Sequence, residues 1–325
     1  VASTSVFVLL SPASSAGTDP CFGRRPTIVG TERSDTLTGT KRRDVIVGLG
    51  GRDVIKGLGS NDFICSGGGS DRIRGGNGAD QIDAGVGFDF LNGGNGDDTI
   101  YGRRGSAFIR AGSGDDYVAT TDHHQHTVLG GHGNDTLIGG FELDEFFGGP
   151  GDDTLRTYGH LDLLTGGPGN DTLDGGGGPD LVDYAQAPSA MTIDLRLTTA
   201  RGDGKDTLLD VELIYGSRFD DVILGTGRQP REAFNGGAGK DTLMGRANRD
   251  LVVGGGGDDT LHGGRGNDLV DGGAGTDTVD GAGGNDRCLS AEVETDCERH
   301  ASKMRHARDR RADRERRARE LFQRA

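Results

Sequence analysis

A single aliphatic residue recurs every nine positions along most of the chain, and an Asp stands two residues before nearly every one. The stretch 254–280 is the most regular. Its units GGGGDDTLH, GGRGNDLVD and GGAGTDTVD open on two glycines and place a third at position four. Asp259, Asp268 and Asp277 fall at position six, and Leu261, Val270 and Val279 at position eight. The same register begins at Gly30 and runs through Asp35, Asp44, Asp53, Asp62, Asp71, Asp80, Asp89 and Asp98, skips at Ala107 and resumes at Asp116. A ten-residue irregular segment, 120–129, shifts the phase by one before a second block with Asp135, Asp144, Asp153, Asp162, Asp171 and Asp180. One isolated copy holds Asp221 and Ile223, and a third block carries Asp241, Asp250, Asp259, Asp268, Asp277 and Asp286.

Positions seven to nine predict a short strand in which residue eight points one way and its neighbours the other. One apolar residue per repeat then fills a narrow interior between two facing sheets. Positions one to six form the turn, where Gly allows positive φ and lets carbonyls converge. Two repeats close one coil, so Asp residues eighteen apart stack about 4.8 Å apart along either edge. The expected fold class is all-β, a parallel β-roll (a β-helix solenoid of stacked nonapeptides) with an irregular β insertion and a C-terminal basic helical tail. Within the insertion, Met191, Ile193, Leu195 and Leu197 alternate with polar residues, RGDGKD makes a turn, and a second apolar run covers 208–214, which predicts a two-stranded hairpin. The expected segments are a truncated signal or leader (1–20), a first block (21–119), a second block (120–183), an interruption with one isolated repeat (184–235), a third block with its cap (236–298) and a basic tail (299–325).

Composition changes the picture in one respect: it leaves too little apolar material for an ordinary core. Only 32% of residues are hydrophobic and 5% aromatic, while Gly occurs 62 times. The formal net charge is -15, and because residues 299–325 hold eleven Lys and Arg against four Asp and Glu, the remaining 298 residues carry -22. Such a charge works against a compact state unless cations neutralise it. High charge with low hydrophobicity usually marks disorder, and the strict period argues against that here.

The unit GGxGxDxUx, as it stands in GGGGDDTLH, GGRGNDLVD and GGAGTDTVD, resembles the hemolysin-type (RTX) calcium-binding repeat family, and the resemblance covers residues 30–289. It implies a secreted roll that folds on binding Ca²⁺, each ion being shared between turns of successive rungs. The physical chemistry agrees, since two ladders of carboxylates repel one another and Ca²⁺ takes 6–8 oxygen ligands from carboxylates and carbonyls at about 2.3–2.6 Å. The candidate metal ligands are Asp53, Asp62, Asp71, Asp80, Asp89, Asp98, Asp135, Asp153, Asp171, Asp180, Asp241, Asp259, Asp268 and Asp277. In GRRGSAFIR, Ala107 replaces the Asp and Arg103 and Arg104 occupy the turn; GTERSDTLT, GTKRRDVIV and GRANRDLVV likewise exchange glycines for Arg or Lys. Fixed cations are expected to replace calcium in those turns.

Four cysteines suit disulfides outside the cell. Cys288 is an inward eighth position and Cys297 follows nine residues later, so the two are expected to face each other across the roll and cap it. Cys21 and Cys65 lie two coils apart, and their pairing requires the N-terminal segment to fold across the sheet. His123, His124 and His126 with Asp122 offer a zinc-type cluster, although a polar insertion loop accounts for them as well. The tripeptide RGD at Arg201–Asp203 reads as an ordinary Gly turn. The apolar run 6–10 followed by small residues reads as the remnant of a secretory signal, and no run approaches a membrane span. There is no HExxH and no GxSxG, and no segment outside the repeats is large enough for a catalytic domain, so no enzyme is expected. The reading is an extracellular, monomeric, calcium-binding structural or interaction module. Its partners are calcium ions and a candidate cell-surface or polysaccharide ligand, not nucleic acid. The alternatives are a calcium-dependent adhesin, or the C-terminal part of a secreted hydrolase whose catalytic domain lies elsewhere.

Overall fold

A computed structural model describes residues 21–297 apart from 121 and 230. The expected leader and the expected helical tail lie outside the described residues. Among the described residues every regular element is a β-strand, and no helix is long and apolar enough to cross a membrane. The described residues divide into two units, 21–160 with 164–178 and 161–163 with 179–297.

In the first unit the nine-residue period becomes two parallel sheets. The strands Val45–Val47, Phe63–Cys65, Gln81–Asp83, Thr99–Tyr101, Tyr117–Ala119, Thr136–Ile138, Thr154–Arg156 and Thr172–Asp174 stack in one. Thr36–Thr38, Val54–Gly59, Arg72–Asn77, Asp89–Asn95, Ala107–Ser113, His126–His132 and Glu145–Phe147 stack in the other. The register sets eighth position on eighth position, Ile46 on Ile64 on Ile82 and Ile55 on Ile73 on Leu91. Nearly all of these side chains are fully buried, each contributing about 1.5–3 kcal/mol.

The second unit repeats the plan. Thr242–Ala247, Thr260–Gly266 and Thr278–Gly284 stack in one sheet, and Leu251–Gly256, Leu269–Ala274 and Arg287–Leu289 in the other. The insertion is not a two-stranded hairpin but a three-stranded antiparallel meander of Thr192–Asp194, Thr199–Arg201 and Lys205–Leu209. The alternation that reads as one strand from Met191 to Leu197 turns back at Leu195–Thr198, where Thr198 takes φ 53° and its amide donates to the Leu195 carbonyl at 3.3 Å. RGD closes the second hairpin as a Gly turn, with Gly202 at φ 141°. The far end of the second apolar run, Leu213–Tyr215, belongs to the repeat register and pairs with Leu181–Asp183.

Two further expectations change. Segment 120–129 is irregular only at its start, because His126 to Leu129 continue a repeat strand with Val128 fully buried opposite Ile109. Cys297 is not in phase with Cys288: Glu294 takes the strand register opposite Val279, and Cys297 lies beyond Val293–Thr295. The chain turns back there, and the Cys288–Cys297 disulfide forms with Cα atoms 5.8 Å apart. Cys21 and Cys65 are also joined. The N-terminal turn crosses the outer face of the sheet and packs Cys21 against Val45, Val47 and Phe63.

Candidate metal centre

The turns stack as regularly as the strands, because position six holds a carboxylate that links one coil to the next. In the first unit the backbone N–H of Asp44 donates to Asp62 Oδ1 at 2.8 Å, and the same bond recurs from Asp62 to Asp80, Asp80 to Asp98, Asp98 to Asp116, Asp116 to Asp135, Asp135 to Asp153 and Asp153 to Asp171 at 2.7–2.9 Å. The second unit carries the file Asp221, Asp241, Asp259, Asp277 on identical bonds. Opposite files run from Asp35 through Asp53 and Asp71 to Asp89, and from Glu232 through Asp250 and Asp268 to Asp286. Position five holds a second ladder of the reverse sense: the Asp115 amide donates back to Asp97, Asn134 to Asp115 and Asp152 to Asn134.

Those bonds use one oxygen of each carboxylate. The other, Oδ2, is buried and without a hydrogen-bond partner in Asp53, Asp62, Asp71, Asp80, Asp98, Asp116, Asp135, Asp153, Asp241, Asp250, Asp259, Asp268, Asp277 and Asp286. An orphaned buried carboxylate oxygen is costly. The orphans share one surrounding. A Cβ added to Gly254, the first residue of its turn, would collide with Asp259 Oδ2 and with the Gly272 carbonyl one coil on, and Gly57, Gly75, Gly93 and Gly236 repeat the arrangement. Glycine thus keeps carboxylate and carbonyl oxygens converging. Burial pushes the Asp98 carboxyl up to about 8, those of Asp80, Asp89, Asp116, Asp153, Asp241 and Asp250 to about 7, and those of Asp53, Asp62, Asp135 and Asp259 to about 6. The amide bond from the preceding coil opposes the shift, and in most of these groups neighbouring carboxylates add to it. Such a donor set of hard oxygens fits a divalent cation of the calcium type.

A family model for the RTX calcium-binding nonapeptide repeat matches nine overlapping stretches, residues 29–64, 38–73, 57–91, 74–107, 92–120, 127–155, 147–182, 235–270 and 253–288, which together span more than half of the chain. The chain belongs to the RTX calcium-binding repeat family. A search of curated proteins found no match. Membership implies calcium binding through the repeats.

The fourteen sequence-predicted ligands all occupy position six of an RTX turn and are buried. Asp89 accepts the Asp71 amide at 2.8 Å, and Asp180 donates its own amide to Glu212 Oε2 at 3.1 Å. Asp116, Asp250 and Asp286, outside the predicted set, show the same orphaned Oδ2. Reading for Asp alone also misses His126, Glu212 and Glu232, which stand in the ladder at position six. Their signal was the buried Val128, Ile214 and Phe234 two residues later.

Several turns satisfy the second oxygen from within, and the donor is not the expected fixed cation. Asp35 Oδ2 takes the Thr31 amide at 2.6 Å and its hydroxyl at 2.8 Å; Asp44 Oδ2 takes the Thr40 amide at 2.6 Å. Asp144 Oδ2 takes the Gly140 amide at 2.9 Å, Asp221 Oδ2 the Ser217 amide, and Glu232 the amide and hydroxyl of Thr226. At the Ala107 turn, Arg103 reaches Asp83 at 3.2 Å instead. On the next rung, buried His126 bonds Asp122 at 2.9 Å, and Asp122 also accepts the Gly105 amide at 3.1 Å. The three histidines do not converge: His123 stacks on Phe141, and His124 is exposed against the other oxygen of Asp122.

Proposed function

We propose that this chain is a secreted calcium-responsive module in which calcium binding and folding are one event. The single observation that supports it is the alignment of buried, unpartnered Asp Oδ2 atoms against glycines that have no room for a Cβ. The ligands would be the position-six carboxylates Asp53, Asp62, Asp71, Asp80, Asp89, Asp98, Asp135, Asp153, Asp171, Asp180, Asp241, Asp259, Asp268 and Asp277, with Asp116, Asp250 and Asp286, and carbonyls such as that of Gly272. Bound calcium supplies the charge that cancels repulsion between rungs. Ions that bind the folded coil and not the open chain stabilise it in proportion to the logarithm of their concentration. Affinities of about 10⁻⁴–10⁻³ M, usual for extracellular modules, leave the chain open inside a cell and closed outside.

Occupancy is unequal between the two edges of the roll. The file Asp80, Asp98, Asp116, Asp135, Asp153 follows the turns GGNGAD, GGNGDD, AGSGDD, GGHGND and GGPGDD, which keep the glycines. The opposite edge contains Ala107, His126 and the self-satisfied Asp144. Calcium loads the first file preferentially, and the other edge is held by protein groups at its Ala107, His126 and Asp144 rungs. The module is structural, not catalytic. Circular dichroism during a calcium titration, with calorimetry for the ion count, tests the reading: strand signal appears with calcium, and strand content unchanged in excess EGTA would refute it.

A further inference from the structure

The outer face of one sheet in the first unit is basic although the chain as a whole is acidic. Positions seven and nine point outward, and the register aligns them in two files. One runs Val54, Arg72, Phe90, Phe108 and the other Lys56, Arg74, Asn92, Arg110. From Thr36 to Leu129 neither file holds an acidic residue. Lys56, Arg72, Arg74 and Arg110 are exposed, and among the described residues none of them is in an ion pair. Elsewhere in this unit arginines are already engaged, Arg103 in the turn after Thr99–Tyr101 with Asp83, and Arg156 of the opposite sheet with Asp174 at 2.8 Å.

The same face is aromatic. Phe88 and Phe90 are 49% and 39% exposed, meet edge to face at 5.2 Å, and continue to Phe108 at 6.3 Å. Arg72 lies over the Phe90 ring at 5.2 Å and Arg110 over Phe108 at 5.5 Å. A guanidinium stacked on a ring keeps its in-plane N–H donors free for a bidentate carboxylate. The rings offer apolar faces, and parallel strands repeat both groups about every 4.8 Å.

We propose that this face binds an acidic polysaccharide, a chain of sugars bearing carboxylates, along the direction of strand stacking. Sugar C–H faces lie on Phe90 and Phe108, and uronate carboxylates meet Arg72, Arg74 and Arg110. Charge complementarity commits the face to an anion. The small number of cations, set in a chain of residues 1–298 that carries -22 overall, suits a polymer with one carboxylate per sugar or fewer and disfavours the denser charge of a nucleic acid. The inference rests on the calcium reading only in that the roll must be folded to present the face.

The test uses the full chain at a calcium concentration where the strand signal has reached its plateau, with hyaluronan octasaccharide as the carboxylate probe, a neutral chitin oligosaccharide, and oligo-deoxythymidine. The wild-type chain binds hyaluronan and not the neutral sugar. The double variant Arg72→Ala, Arg74→Ala weakens binding at least about tenfold, as loss of charge-assisted hydrogen bonds requires, and Phe90→Ala weakens it several-fold. Arg287→Ala, on the exposed side of a strand in the second unit, leaves it unchanged, and all variants keep the wild-type calcium midpoint. Equal binding of neutral sugar, no binding by the folded wild type, or variants without effect would overturn the proposal. Tighter binding of oligo-deoxythymidine, lost in the same variants, would reassign the face to nucleic acid. A chain that keeps its strands in EGTA and still binds hyaluronan would refute the calcium reading and leave this one standing.

Discussion

Asp241 donates its backbone N–H to Asp259 Oδ1 at 2.9 Å, while Asp259 Oδ2, buried beside it, has no partner. One oxygen builds the coil and the other is held for a cation. Asp35 stands at the same position of its own repeat in the first unit, but its Oδ2 already takes two hydrogen bonds from Thr31. Asp259→Ala is therefore expected to raise the calcium midpoint of folding several-fold, and Asp35→Ala to change it little. Equal shifts in paired titrations by circular dichroism would remove this ranking.

Glycines of one turn have different duties, and the difference is measurable. Gly254 is hemmed in by Asp259 Oδ2 and the Gly272 carbonyl, whereas a Cβ on Gly256 would meet nothing within 4 Å. Gly254→Ala should abolish calcium binding in its turn and lower the ion count by calorimetry. Gly256→Ala should leave both the count and the midpoint at wild-type values, because its φ is not in the left-handed region.

Metal-free and calcium-loaded chains should respond to pH with opposite sign. In the metal-free fold, burial raises the ladder carboxyls from the usual value of about 4 to about 7 in Asp80, Asp116 and Asp241 and about 8 in Asp98. The folded state then binds more protons than the unfolded state, so its stability is greatest below about pH 4 and falls as pH rises through about 6–8. Calcium requires the ionised form, so its midpoint should rise as pH falls over the same window. Circular dichroism in calcium-stripped buffer at pH 5 and pH 8, where protonation of the ladder stands in for calcium in relieving the repulsion, beside calcium titrations at pH 6 and pH 8, checks both. A calcium-free strand signal no greater at pH 5 than at pH 8 would sink the first statement.

The strands and the stacking of eighth positions were legible because a period of nine with one aliphatic leaves a single register for Ile46 on Ile64 or Val252 on Val270. The ladder was legible only where its residue was Asp. Glu212 reaches the Asp180 amide across an insertion, and His126 keeps the backbone bond to Asp144 while its imidazole turns to Asp122. Their place is fixed by the strand that follows, not by their own chemistry. The self-satisfied turns were hidden for another reason. Thr31 and Thr40 stand at position two beside conspicuous arginines, yet their amides, with the Thr31 hydroxyl, reach the carboxylate four residues on, which the longer side chains do not. Cys297 misled because nine-residue spacing holds only while the chain keeps coiling.

The least well-formed turn of the third block offers a stabilising change. In GRANRDLVV the second and fourth positions, glycines elsewhere, are Arg246 and Asn248, held at φ 80° and 81°. A left-handed backbone costs a residue with a Cβ about 1–2 kcal/mol, and Arg246 Nε is in addition buried without a partner. Asn248 recovers part of its cost, since its amide donates to the Gly227 and Gln229 carbonyls at 3.3 and 2.9 Å. Arg246→Gly removes the strain and the orphan together and gives up only the lower chain entropy of a non-glycine residue, roughly 0.5–1 kcal/mol. It should stabilise the calcium-loaded fold by roughly 1 kcal/mol and lower the calcium midpoint, whereas Asn248→Gly, which trades hydrogen bonds for relief of strain, should be near neutral. Thermal melts at saturating calcium distinguish the two, and a destabilised Arg246→Gly would show that the arginine holds this turn through its charge.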